Sequence, residues 1–131
     1  MTDIFLPPME AVVDLHGEWI AAFGGAAGLR DRGGLESALA RAQQIIAYEP
    51  DAGVAALATA VCAGICRNHP FVDGNKRAAF GTLGVILGMN GLYLDVAESE
   101  ATRVVVALAA GEMAEAEFRG WVAGHVNPDQ E

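Results

Sequence analysis

Nine residues, His69-Pro-Phe-Val-Asp-Gly-Asn-Lys-Arg77, gather a base, an acid, a glycine, an amide and two cations. An imidazole takes a proton from a hydroxyl near neutral pH, so His69 is a candidate general base. Gly74 permits a sharp turn, and Asn75 is a suitable N-cap for a helix that follows. Free N–H groups at the start of such a helix, with its dipole, make an anion site of the kind that holds phosphate. Lys76 and Arg77 add positive charge there. Asp73 is the odd member, because a carboxylate repels phosphate. It makes sense if a divalent cation lies between the two, the usual arrangement for nucleotide-bound magnesium. Pro70 and Phe71 read as anchors of the loop on the core. Taken singly, each residue also suits a polar turn between helices: a cap, a solvated Lys-Arg pair. The fixed order of base, acid, glycine, amide and cations is more specific than any member.

Such a loop needs rigid elements on both sides. The chain has 131 residues, 53% of them hydrophobic, which is enough for one folded domain, 1–131, without metal or disulfide staples. The net charge of −9 argues against non-specific binding to nucleic acid or anionic membrane. The opening MTDIFLPP lacks a basic, apolar leader pattern, and the longest uncharged runs, 52–66 and 78–94, fall short of a membrane span. A soluble, cytoplasmic chain is expected.

Helical spacing of Val12, Leu15, Trp19 and Phe23 predicts a first helix over 8–23, followed by a Gly-rich loop over 24–34. Further helices are expected over 35–46, 51–68, 75–89, 98–110 and 114–124. Asp51 reads as the N-terminal acid of the third, and Asn90-Gly91 as the stop of the fourth. Little alternation is present, beyond a possible small hairpin in 44–53 or near 92–96. The fold class is therefore all-α: a helical bundle of about six helices with the polar loop between two central ones. Gly81, Gly84 and Gly88 lie on the fourth helix, where each costs about 1 kcal/mol against Ala, and close packing on a neighbour is the expected compensation. Cys62 and Cys66, four apart, read as buried apolar residues. A metal site with His69 as third ligand lacks a fourth. His16 and His125 read as structural or exposed.

HPFVDGNKR resembles the signature of the Fic/Doc family, His-x-Phe-x-Asp/Glu-Gly/Ala-Asn-x-Arg, and the lysine between Asn75 and Arg77 resembles its Doc, or death-on-curing, branch. GLRDRGGLESALARAQ (28–43) resembles a second pattern of that branch, with Gly34 in place of a Leu and Ala42 in place of a Pro. The start near His16 and the closing AAGEMAEAEFRGWV also fit. The resemblance implies a helical fold and transfer of a phosphate-containing group from ATP, with magnesium, to a protein hydroxyl. In the Doc branch it is the terminal phosphate, passed to a threonine of elongation factor Tu, which arrests translation. By position, His69 matches the general base and Asp73 the magnesium-linked acid. Gly74, Asn75 and Lys76 match the anion-holding turn, and Arg77 the phosphate-contacting arginine. AMP-transferring Fic proteins have Gly where Lys76 stands and a second arginine where Phe80 stands, so both departures favour a kinase. No inhibitory Ser/Thr-x-x-x-Glu-Gly/Asn helix is found. The resemblance thus implies inhibition in trans by an antitoxin, in a groove between helices. The competing expectations are AMP transfer and a catalytically silent interaction or co-regulator module.

Overall fold

Helix α3 (Val54–Asn68) is buried without interruption from Ala56 to Cys66. A helix apolar on every side has to be enclosed by others, and α3 packs most extensively against three. They are α2 (Arg32–Tyr48), α4 (Asn75–Met89) and α6 (Glu115–His125). Leu57, Val61 and Ile65 point into the core that α3 shares with Leu35, Leu83, Ile86 and Phe118. Burial of each such side chain contributes about 1.5–3 kcal/mol. Helices α1 (Met9–Phe23) and α5 (Glu98–Ala109) complete the all-α arrangement in this computed structural model, which describes residues 4–129.

The boundaries correct the sequence reading in several places. Helix α1 buries Val12, His16 and Ile20, not the stripe through Leu15 and Phe23, and Phe23 is exposed. Helix α2 begins at Arg32, inside the expected loop, because the Asp31 carboxylate accepts from Gly34 N–H at 2.9 Å and caps it. Helix α3 begins at Val54 behind a Gly53 cap, so Asp51 lies in the preceding turn and is not its N-terminal acid. The expected hairpin is absent from 44–53. Instead β1 (Leu92–Leu94) pairs antiparallel with β2 (Val126–Pro128), a segment over thirty residues away with no strand pattern of its own. Gly81 does admit a neighbour: a Cβ there would lie 2.4 Å from the Trp19 ring. Gly84 and Gly88 face open space, so no close packing compensates them. Cys62 and Cys66 are free and buried, and among the described residues no helix is long and apolar enough to cross a membrane.

One tie was not anticipated. Glu115, at the start of α6, takes both arms of the Arg41 guanidinium at 2.8 Å and Arg67 at 3.3 Å. Burial pushes the Glu115 carboxyl up, but the hydrogen bonds and charge of Arg41 and Arg67 outweigh it and hold the carboxyl below its ordinary range. This fixes α6 on α2 and α3.

Candidate active site

Residues 69–74 connect the two central helices. His69 ends α3 in the left-handed region (φ 47°, ψ 56°) and is the one non-glycine residue with positive φ among those described. A residue before proline is also disfavoured in helical conformations, so this geometry carries a cost. Two contacts hold it: His69 N–H donates to Ile65 C=O at 3.1 Å, and the Arg30 guanidinium donates to the His69 carbonyl.

Arg30 belongs to a strap, 24–31, that runs antiparallel to the loop. Val72 N–H donates to Gly28 C=O at 3.0 Å, and Arg30 and Asp31 N–H both donate to Pro70 C=O, at 2.7 and 2.9 Å. This bridge pairs Leu29 with Phe71 and turns the Phe71 peptide groups outward. There the Asn75 carboxamide takes both, accepting from Phe71 N–H and donating to Phe71 C=O, each at 2.9 Å. Asn75 is thus a clasp on the loop, and the N-cap is Gly74 (φ 71°), not Asn75 as its residue type predicts. Phe71 is buried as expected and stacks at 3.8 Å on the buried His16 ring. His16 Nε2–H in turn donates to the Asp73 carbonyl at 2.8 Å, so its structural reading stands, with a direct hold on the site.

The Asp73 carboxylate faces the strap. Its Oδ2 accepts from Ala26 N–H at 3.1 Å and its Oδ1 from Gly74 N–H at 2.8 Å. These two bonds, with smaller help from the charges of His16 and Arg77, hold the Asp73 carboxyl below its ordinary range against a small opposing effect of desolvation. Gly25 (φ 115°) allows the approach, since a Cβ there would lie 2.8 Å from Asp73 Oδ2.

Helix α4 makes its first backbone bond from Ala78 N–H to Gly74 C=O. Asn75, Lys76 and Arg77 therefore present first-turn N–H groups without helical partners. His69, Asp73, Lys76 and Arg77 and the Gly74–Asn75 turn all border one cavity of about 530 Å³. Val106 and Ala109 of α5, the Ala110 that follows it and Cys66 form its other wall. Hydrogen bonding to Cys62 leads the causes that lower the Cys66 thiol, with help from Lys76 and Arg67, while Cys62 is raised. All six site positions singled out in the motif are thus in one place. The strap residues Gly25, Ala26 and Arg30, the α5 wall and His16 were missed as site components. The run GLRD, matched only as a pattern, was the available signal for Arg30.

An ionised carboxylate beside free N–H groups and two cations suits a phosphate chain carrying its own divalent ion. No cluster of three or more His, Cys, Asp or Glu is present among the described residues, and Asp73 is the one acid bordering the cavity, so a divalent ion held there would take its remaining ligands from the phosphates.

The model of the Fic/DOC family matches residues 7–87. A curated protein called Toxin Doc, from Mycolicibacterium smegmatis, is 41% identical over 75 residues, 56% of this chain and 57% of that protein. The chain thus spans little more than half the length of that relative.

Proposed function

Because the chain belongs to the Fic/DOC family, we propose that it is a Doc-type toxin: a kinase that moves the terminal phosphate of ATP to a hydroxyl of a translation factor. The observation that carries this reading is the meeting of His69, Asp73, Lys76 and Arg77 with the open N-terminus of α4 on a single cavity.

In this reading the α4 N–H groups, Lys76 and Arg77 bind the terminal phosphate and stabilise charge that develops during transfer. His69 accepts the proton of the attacking hydroxyl. The hydroxyl oxygen bonds to the terminal phosphorus, the bond from phosphorus to the bridging oxygen breaks, and ADP leaves. The clamped backbone at 69–75 fixes the base and the anion turn relative to each other. Asp73 would hold magnesium, which when bound neutralises phosphate charge. Lys76 fills the space that a glycine would leave for an inner phosphate. Phe80, where AMP transfer uses a second arginine, packs against the core and does not border the cavity. Both features favour phosphorylation over AMP transfer. A threonine of elongation factor Tu is the target that the family reading favours.

The family reading includes an antitoxin acting in trans. A groove of about 430 Å³ between α2 and the start of α1, lined by Leu6, Met9, Leu39 and Ala40 with Glu10 and Arg32 at its edge, suits the apolar face of a partner helix.

The test is incubation with magnesium, a bacterial lysate and ATP labelled on either its terminal or its inner phosphate. Terminal label on one protein band, absent with His69→Ala, is expected. Inner label would indicate AMP transfer, and no label in any condition would favour a silent interaction module.

A further inference from the structure

Helices α1 and α4 run past each other in opposite directions, and two pairs of residues record it. Trp19 lies on Gly81, and one turn away Phe23 lies on Arg77. The missing side chain at Gly81 lets Trp19 approach α4. The same approach brings the last residue of α1 to the first turn of α4. The Arg77 guanidinium carbon stands 4.6 Å above the Phe23 ring centroid.

Burial does not explain this ring, which is 67% exposed and is followed at once by the Gly24 turn. Nor is Arg77 held otherwise: among the described residues its side chain has no hydrogen bond and no ion pair within 4 Å. A carboxylate would restrain an arginine by occupying its N–H fork. An aromatic ring restrains the face of the guanidinium and leaves the fork free. An arginine that must meet a phosphate needs the second kind of partner.

We propose that Phe23 is a positioning residue for Arg77. Its ring limits the guanidinium to orientations whose N–H edge faces the cavity, ready for a phosphate of the nucleotide. This rests on the transfer reading given above, and it adds a residue outside the motif that acts only through Arg77.

The test has two parts. In the free protein, the Arg77 side-chain Nε–H resonance should carry a ring-current shift that disappears in Phe23→Leu and persists in Phe23→Tyr. In steady-state transfer, Phe23→Leu should lower kcat/KM about two- to fivefold, the range for an exposed cation–ring contact. Phe23→Tyr should restore it. In an Arg77→Gln background Phe23→Leu should have no further effect, and its melting temperature should match the parent. An absent ring-current shift, or an equal loss in the Arg77→Gln background, overturns the inference and leaves the transfer reading standing. The second pattern would assign the ring to a contact with the protein substrate. If the unaltered protein transfers nothing, the transfer reading fails. The inference is then decided by affinity for inorganic triphosphate with magnesium, followed on the Arg77 resonance. About two- to fivefold weaker binding by Phe23→Leu supports it, and unchanged binding overturns it.

Discussion

Replacing Asn75 by Ala removes the clasp that closes the loop carrying His69 and Asp73. Its carboxamide makes two bonds, both to the backbone of Phe71, whose side chain is buried. The bridge to Leu29 gives Phe71 no backbone bond of its own, because the bonds run from the flanking residues. Each lost hydrogen bond costs about 1 kcal/mol, and more where the abandoned group is kept from water, so the gross loss is about 2–4 kcal/mol. The better helix propensity of Ala offsets roughly 0.5 kcal/mol. A net loss of about 1.5–3.5 kcal/mol corresponds, for a chain of this size, to a fall in melting temperature of about 5–17 °C. Lys76→Ala, next to it but exposed and without an ion pair among the described residues, should change stability by no more than about 0.5 kcal/mol. Thermal and urea unfolding of the three proteins measure this, and hydrogen exchange at the Phe71 amide locates it. An Asn75→Ala protein that melts with the parent and keeps its Phe71 amide protected would refute the clasp and return Asn75 to a role in ligand contact alone.

Gly81→Ala should destabilise by about 1–3 kcal/mol, since its Cβ meets the Trp19 ring. Gly84→Ala, in open space on the same helix, should stabilise by up to about 1 kcal/mol, and paired chemical denaturation compares the two. Glu115→Gln should cost about 1–3 kcal/mol at neutral pH by weakening its bonds to Arg41 and Arg67. The Glu115 carboxyl is held low in the folded state, so its contribution is present above the ordinary carboxylate range and lost as pH falls through the folded value. Unfolding measured against pH should therefore show a flatter acid limb in Glu115→Gln. Asp73 is depressed in the same sense by the Ala26 and Gly74 amides. The Ala26 amide should lose exchange protection as pH falls below the ordinary carboxylate range, beyond the intrinsic pH dependence of exchange, and Asp73→Asn should remove this extra dependence.

The motif was legible because its chemistry is local. His69 through Arg77 are consecutive, and a turn between two apolar helices can only bring them together. What holds them is not local. Arg30 reaches the His69 carbonyl, Ala26 reaches Asp73, and His16 reaches the Asp73 carbonyl from another helix. Each is an ordinary residue in its own segment, and its role appears only when the segments meet. Asn75 misled for a related reason. Its type suits a cap, but Gly74 adopts the cap position while the carboxamide turns back to Phe71. The glycines of α4 divide similarly: only Gly81 faces another helix, and spacing alone does not distinguish it from Gly84 and Gly88. The pairing of 92–94 with 126–128 is a long-range register that neither segment encodes alone.

Intact-protein mass spectrometry of the purified target after incubation with this protein, ATP and magnesium tests the central claim most directly. The account predicts the mass increase of one phosphate, abolished by His69→Ala and reduced by Lys76→Gly. An adenylyl adduct formed by the unaltered protein would contradict it, as would a phosphate adduct formed equally well by His69→Ala.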